Sequence, residues 1–212
     1  MKIIPNHEYI PFGPYVAKMD IDLEFCKRLL KLGKTLKKKI TSQLAGKIES
    51  EYVYDLEKHP WIKEEFQVCV NTWITGFRSF TGDPGRDPHA EVQFKLDPLW
   101  INFQKAEEYN PVHIHPGCHL SFVLYLEVPE EMLKEKVRTR GIPAGYTGLM
   151  YGEHSDIFFT MAHRIIRPKV GTLLMFPSNL RHYASHFHSK VIRTTVSGNV
   201  TFILPPSETI SE

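Results

Sequence analysis

The spacing of apolar residues changes from a helical period to a period of two near residue 82, and this switch limits the folds open to the chain. Upstream, apolar side chains recur every three or four residues, which predicts amphipathic helices over 20–40 and 60–80. A run dense in turn formers, Gly82 to Pro88, ends the second stretch. Downstream, segments rich in β-branched and aromatic residues predict strands over 99–104, 119–128, 171–176 and 191–204. Because no long helical stretch separates these strands, an antiparallel barrel or sandwich is favoured over an alternating β-α fold.

The chain of 212 residues fits one domain. We expect residues 1–89 to form a helical N-terminal part that braces a mainly β core over residues 90–204. Segment 129–169 is the least regular part of that core. We interpret it as a lid-like insertion over the ligand that the core binds.

Composition and charge exclude several classes of protein. A formal net charge of +2 is too small to indicate a nucleic-acid or anionic-membrane partner. The three cysteines, Cys26, Cys69 and Cys118, are widely spaced and indicate neither a disulfide framework nor a cysteine zinc site. No apolar run reaches the length of a signal peptide or a membrane span. We therefore expect a soluble, cytoplasmic protein that can pair as a homodimer through its helical face.

Two histidines in the segment NPVHIHPG, residues 110–117, are separated by a single residue. On an extended backbone, residues at i and i+2 project to the same side, so His113 and His115 are both available to one metal ion. The pattern alone is a weak signal, because pairs of histidines with this spacing also occur by chance on surfaces and in cores.

Polar residues share one face of several predicted strands. Alternation groups Arg193, Thr195 and Ser197 on the last strand, and it places Asn102 and Tyr125 on the polar faces of two others. Polar groups are costly to bury without a partner, so a barrel lined in this way indicates a pocket for a polar ligand. The alternative is that these faces simply meet water, as one face of an antiparallel sheet often does.

A third segment, GTLLMFPSNLRH over residues 171–182, ends in a histidine. If residues 184–190 form a hairpin turn, His182 and Arg193 face each other on adjacent strands. One ligand could then contact both a metal ion on His182 and the guanidinium of Arg193, which binds carboxylates through two parallel hydrogen bonds. Otherwise Arg193 forms a structural ion pair.

Three sequences in order along the chain, NPVHIHPGCHLSFVLYL, GTLLMFPSNLRHYA and IRTTVSGN, carry a family resemblance. They resemble motifs of the Fe(II)- and 2-oxoglutarate-dependent oxygenases, in particular bacterial and phage-type members with an HxH…H pattern. The resemblance extends from Trp100 to Asn199. It implies the double-stranded β-helix, or jelly roll, as the core fold.

The resemblance also implies an activity and a site. The enzyme would be a non-haem dioxygenase that consumes O₂ and 2-oxoglutarate, hydroxylates a substrate that the sequence does not identify, and releases succinate and CO₂. Fe(II) would be bound by His113, His115 and His182, and the far carboxylate of 2-oxoglutarate by Arg193. Further contacts to this cosubstrate would come from Asn102, Tyr125, Thr195 and Ser197.

The chain departs from the usual family pattern at one ligand. The family motif has an aspartate or glutamate two residues after the first histidine, where this chain has His115. Either His115 is the third ligand, or a carboxylate from elsewhere, or water, completes the metal site.

Two other interpretations stay open. Gly171, Pro177 and His182 also match the G-x5-P-x4-H spacing of cupins, which predicts a three-histidine metal enzyme that does not use 2-oxoglutarate. The third interpretation is a non-enzymatic jelly-roll module for binding or structure. Fe(II)-dependent consumption of 2-oxoglutarate separates the three.

Overall fold

A computed structural model describes residues 13–40, 46–82, 93–136, 141–152 and 161–203. The described helices are α1 (Leu23–Gly33), α2 (Trp61–Thr81) and α3 (Glu130–Leu133). The described strands are β1 (Ala17–Asp20), β2 (Glu51–Val53), β3 (Phe94–Gln104), β4 (Asn110–His113), β5 (Leu120–Glu127), β6 (Thr147–Met150), β7 (His163–Ile166), β8 (Thr172–Pro177), β9 (Arg181–Ala184) and β10 (Arg193–Phe202). Within these ranges, no helix is long and apolar enough to cross a lipid bilayer.

The strands form two antiparallel sheets whose side chains enclose one cavity. The major sheet has the order β1-β8-β5-β10-β3-β2, and the minor sheet has the order β4-β9-β6-β7. Strands that are neighbours in space are mostly distant in sequence, as expected when two sheets are wound together in a jelly roll. The predicted mainly β class is confirmed, and the four predicted strands correspond to β3, β5, β8 and β10. The N-terminal part adds β1 and β2, which sequence periodicity does not reveal, at the two edges of the major sheet.

The helices cover the outer face of the major sheet. On β5, Phe122 and Leu124 point outward into the main core, where the Phe122 ring lies 4.7 Å from that of Phe66 on α2. Fully burying such a side chain contributes about 1.5–3 kcal/mol. The alternate residues Ser121 and Tyr125 face inward, as the period of two in the sequence predicts.

Helix α2 agrees with its prediction, whereas α1 is shorter than its apolar spacing indicates. The Asp22 carboxylate caps α1 by accepting a hydrogen bond from the Phe25 N–H at 3.0 Å. The helix ends at Gly33 rather than near residue 40, because its end abuts the sheet. A Cβ at Gly33 would lie 2.4 Å from Cδ1 of Ile101. Beyond the helix, the chain extends and Lys39 forms a β-bridge with Tyr52.

The predicted hairpin between His182 and Arg193 is wrong. β9 pairs with β4 and β6 in the minor sheet, whereas β10 pairs with β3 and β5 in the major sheet. The intervening chain therefore crosses from one sheet to the other instead of turning back beside itself. His182 and Arg193 nevertheless line the same cavity, from opposite sheets.

Segment 129–169, interpreted above as a lid-like insertion, contributes two strands to the barrel. β6 pairs with β9, and β7 pairs with β6 at the edge of the minor sheet. This part of the segment is a wall of the cavity. Residues 137–140 and 153–160, which the same interpretation includes, lie outside the described residues.

Candidate metal centre

Three histidines converge at one end of the cavity. His113 on β4 and His182 on β9 are direct cross-strand partners, and their ring centroids are 4.2 Å apart. His115 lies just beyond the end of β4, with its ring 5.0 Å from that of His113 and 5.1 Å from that of His182. One ligand nitrogen from each histidine lies within 4.8 Å of the other two. Nitrogens bound at about 2.0–2.1 Å to one metal ion lie about 3–4 Å apart, so small movements of the rings would bring all three onto one ion.

Backbone carbonyls orient two of the three rings. Nδ1 of His113 lies 2.7 Å from the carbonyl oxygen of Pro111, and Nδ1 of His182 lies 2.8 Å from that of Leu180. A carbonyl can only accept a hydrogen bond, so Nδ1 carries the proton in both rings and Nε2 keeps its lone pair. This is the arrangement in which histidines bind metals.

The environment also keeps the imidazoles neutral at neutral pH. Burial, with a contribution from the neighbouring imidazoles, lowers the pKa of His182 to about 3 and, with a contribution from His113, that of His115 to about 4. Burial likewise lowers the pKa of His113, although its hydrogen bond to Pro111 opposes the effect. Three neutral nitrogen donors on two adjoining segments fit a divalent transition metal.

A buried guanidinium lies elsewhere in the same cavity. Arg193 is 2% exposed, and its NH1 group donates to Oε1 of Gln104 at 2.8 Å. Its NH2 group lies 3.5 Å from Oγ1 of Thr147, and its guanidinium carbon lies 5.1 Å from the centroid of the Tyr125 ring. Nε has no hydrogen-bond partner. Burial lowers the pKa of Arg193, but an arginine side chain remains protonated in proteins.

Within the described part of the chain, no carboxylate pairs with this guanidinium. Its hydrogen-bond partners, Gln104 and Thr147, are neutral. An unpaired charge is expensive to bury, so the site favours an anion that enters from outside. The expected structural ion pair is therefore not formed by any of the residues described.

The remaining polar residues of the cavity form a connected network. Nδ2 of Asn102 donates to Oγ1 of Thr195 at 3.2 Å and to Oγ of Ser197 at 3.1 Å. Its Oδ1 accepts from the indole nitrogen of Trp100 at 2.9 Å. The structure thus brings Asn102, Thr195 and Ser197 to the cavity wall, where sequence alternation predicts them.

Two residues at the Arg193 end, Thr147 and Gln104, were not predicted as site residues. Thr147 accepts a hydrogen bond from the Tyr125 hydroxyl at 2.7 Å and also faces Arg193. Gln104 holds the guanidinium, while its own Nε2 donates to the backbone carbonyls of Glu108 and Ser185. Gln104 shares the parity of Asn102 and could have been found from that alternation. Thr147 lies in the irregular segment and leaves no such signal.

Solved structures share this architecture at low sequence identity. An oxidoreductase of the 2OG-Fe(II) oxygenase family from Burkholderia pseudomallei is 14% identical, with 88% of this chain and 84% of that chain covered and a TM-score of 0.53. The viral collagen prolyl hydroxylase of Paramecium bursaria Chlorella virus-1, solved with 2-oxoglutarate, is 15% identical, with 89% and 96% covered and a TM-score of 0.54. HygX from Streptomyces hygroscopicus, solved with nickel and 2-oxoglutarate, is 8% identical, with 88% and 82% covered and a TM-score of 0.52. These likenesses establish the jelly-roll fold.

A family match rests on sequence. Residues 98–199 match the family described as "Putative 2OG-Fe(II) oxygenase", and this segment contains His113, His115, His182 and Arg193. Among curated proteins, none matches the sequence. The match, the fold and the three-histidine cluster agree with one another. Residues 98–199 therefore match the 2OG-Fe(II) oxygenases in sequence, and the whole described chain is similar to them in fold.

Proposed function

We propose that this 2OG-Fe(II) oxygenase hydroxylates a small or peptidyl substrate, with release of succinate and CO₂, and that His113, His115 and His182 bind the iron. The observation that carries the proposal is a buried, unpaired guanidinium in the same cavity as three neutral, converging imidazoles. The three-histidine cluster alone suits several metal enzymes. The guanidinium adds a requirement for an anionic ligand, which 2-oxoglutarate satisfies.

Arg193 binds the far carboxylate of 2-oxoglutarate in this proposal. Its unpartnered Nε and the second N–H of NH2, whose first N–H faces Thr147, can donate to the carboxylate, while Gln104 holds NH1 in place. The 2-oxo acid end of the cosubstrate then points along the cavity to the histidines. Such two-ended binding fixes one orientation of the cosubstrate.

Side chains beside Arg193 position it and its ligand. Tyr125 and Thr147 are joined by a hydrogen bond and lie against the guanidinium, so their hydroxyls can turn to a bound carboxylate. Asn102, Thr195 and Ser197 present further donors and acceptors along the wall. Because all these groups are held by strands, little reorganisation is needed when the cosubstrate binds.

Fe(II), when bound, would activate O₂ and the 2-oxo acid. The protein's own contribution would be three neutral imidazole donors, with Nε2 as the donor atom of His113 and His182, and further positions of the ion would be left to small ligands. The walls built by Phe176 and Trp100 limit the access of water to this end of the cavity.

Free thiols and a small net charge bear on the cellular setting of the protein. Cys26, Cys69 and Cys118 are all free thiols, which suits a reducing compartment, and we propose the cytoplasm. The near-neutral charge balance disfavours a nucleic-acid partner. A homodimer through the helical face stays a prediction.

Succinate formation tests the proposal. Protein reconstituted anaerobically with Fe(II) should convert 2-oxoglutarate and O₂ to succinate and CO₂. Arg193→Gln should raise the KM for 2-oxoglutarate at least about 100-fold, because a charge-assisted bidentate contact is lost in a buried site. The matched control, Arg167→Gln, removes an exposed guanidinium and should behave as wild type.

Two outcomes of these measurements would contradict the proposed function. Oxygen consumption without succinate would favour the three-histidine cupin-type chemistry, which does not use 2-oxoglutarate. Equal KM values for the Arg193 and Arg167 variants would show that the buried guanidinium does not bind the cosubstrate.

A further inference from the structure

The side chain of Gln104 joins three parts of the fold at the Arg193 end of the cavity. It lies at the end of β3, is fully buried, and its Oε1 accepts a hydrogen bond from NH1 of Arg193 at 2.8 Å. Its Nε2 donates to the carbonyl oxygen of Glu108 at 2.7 Å and to that of Ser185 at 3.0 Å. Arg193, unlike Gln104, lines the cavity, so Gln104 acts on a ligand through Arg193.

These contacts allow only one orientation of the Gln104 amide. Backbone carbonyls only accept hydrogen bonds, and a guanidinium only donates them. A flipped amide would place its oxygen against two carbonyl oxygens and its NH2 group against the guanidinium. The carbonyls of Glu108 and Ser185 therefore keep the amide oxygen directed towards Arg193.

The same two carbonyls adjoin the strands that carry the histidines. Glu108 lies two residues before β4, and Ser185 directly follows β9. Through Gln104, the guanidinium of Arg193 is thus tied to the minor sheet next to both of these strands. Its position relative to the imidazoles is fixed before any ligand binds, which lowers the cost of reorganisation on binding.

Gln104 provides this support without carrying a charge. A glutamate of the same length would pair with the guanidinium and neutralise it. The carboxyl group of Glu108 does not do so, because its oxygens accept hydrogen bonds from the Lys105 N–H at 2.8 Å and the Glu49 N–H at 3.4 Å. The guanidinium therefore keeps its full charge in the cavity, although burying an unpaired charge costs stability.

We propose that Gln104 is a positioning residue that holds Arg193 as an uncompensated cation, and that it thereby makes the site prefer a dianionic 2-oxo acid to a monoanionic one. The identity of that acid rests on the proposed function, whereas the uncompensated charge does not. The neutral amide fixes the geometry of the guanidinium, and the incoming carboxylate supplies the counter-charge. A side chain that supplied the counter-charge itself would remove the preference.

The binding of two 2-oxo acids measures this preference. In 5-methyl-2-oxohexanoate, an isopropyl group of nearly the same shape replaces the far carboxylate of 2-oxoglutarate. Calorimetry on the Fe(II)-loaded protein, under anaerobic conditions at pH 8, gives the ratio of the two dissociation constants. The variants are Gln104→Glu, which neutralises Arg193, Gln104→Met, which removes the amide without adding a charge, and the control Gln93→Glu at an exposed position.

We expect wild type and Gln93→Glu to bind 2-oxoglutarate at least about 100-fold more tightly than its analogue, since two charge-assisted hydrogen bonds are involved. Gln104→Glu should reduce this ratio to less than about tenfold. Gln104→Met should weaken binding but keep the ratio above about tenfold, because Arg193 keeps its charge.

A carboxylate on the other side of the guanidinium tests the role of charge separately. Thr147→Asp brings such a group to NH2 of Arg193 and leaves Gln104 and its two carbonyl contacts in place. It should reduce the ratio as Gln104→Glu does. A cooperative urea transition shows that each variant is folded.

A further measurement needs neither iron nor a ligand. Urea denaturation of the metal-free protein compares the effect of Arg193→Met in two backgrounds. In wild type, this substitution removes a buried unpaired charge and should raise the unfolding midpoint by about 0.5 M. In Gln104→Glu, it leaves a buried carboxylate without a partner and should lower the midpoint by about 0.5 M or more.

Three results would each overturn the inference: a wild-type ratio in Gln104→Glu, an equal loss of the ratio in Gln104→Met, or urea midpoints that Arg193→Met shifts in the same direction in both backgrounds. Failure of the proposed function gives a different result. Wild type then binds neither 2-oxo acid and forms no succinate, while Arg193→Met still shifts the two midpoints in opposite directions.

Discussion

At the residue scale, the buried carboxyl group of Glu51 makes the stability of the fold depend on pH. Its pKa is raised to about 7 in the folded protein, against 4.5 for an unperturbed glutamate. Between these two values the folded chain holds a proton that the unfolded chain has released, so the free energy of unfolding falls as pH rises from about 4.5 to about 7. Glutamine has the same shape and cannot ionise.

Glu51→Gln should therefore be more stable than wild type at pH 8, by about 3 kcal/mol, and nearly equally stable at pH 4.5. Urea denaturation at the two pH values measures this difference, with Glu57→Gln as the control. If the difference is the same at both pH values, the Glu51 carboxyl does not ionise in the interval described.

Thr147 provides a second prediction at this scale. Its hydroxyl accepts from Tyr125 and faces Arg193, so Thr147→Val removes a group that positions the guanidinium. We expect the KM for 2-oxoglutarate to rise about tenfold with a smaller change in kcat, and Thr147→Ser to restore it. Steady-state succinate formation gives both constants. A loss of kcat alone, or no rescue by serine, would remove Thr147 from the cosubstrate site.

At the element scale, the end of α1 shows how packing overrides helical periodicity. Gly33→Ala raises intrinsic helix propensity, yet its Cβ would lie 2.4 Å from Ile101 Cδ1 and 2.7 Å from the Tyr54 hydroxyl. We expect this variant to lose about 1–3 kcal/mol of stability through overpacking. Lys31→Ala, on the exposed side of the same helix, should change stability by less than about 0.5 kcal/mol. A Gly33 variant as stable as wild type, by urea denaturation, would contradict the described contact.

The strands show which elements sequence periodicity can reveal. β5 and β10 are long, and apolar and polar side chains alternate clearly along them. Their inward residues, including Tyr125, Arg193 and Thr195, can therefore be predicted from the sequence. β1, β2, β6 and β7 have three or four residues each, too few for a period of two to stand out. Thr147 and Glu51 lie on such strands, and for this reason both escaped the sequence analysis.

At the scale of the whole molecule, the order of the motifs was more informative than their local pairing. The predicted pairing of His182 with Arg193 fails because it assumes that strands close in sequence are adjacent in space. The jelly roll separates them into two sheets and still directs both side chains into one cavity. His113 and His182, 69 positions apart in number, become direct partners only through this winding. Residue patterns alone cannot supply such long-range pairing, whereas the family resemblance can.

The most direct test of the account is the joint binding of iron and 2-oxoglutarate under anaerobic conditions. Metal analysis and calorimetry on wild type, His113→Ala, His182→Ala and Arg193→Gln measure the two ligands separately. We predict one iron and one 2-oxoglutarate per wild-type chain, loss of iron in both histidine variants, and retained iron with lost 2-oxoglutarate binding in Arg193→Gln. Iron binding that survives both histidine substitutions, or 2-oxoglutarate binding that does not depend on Arg193, would contradict the account.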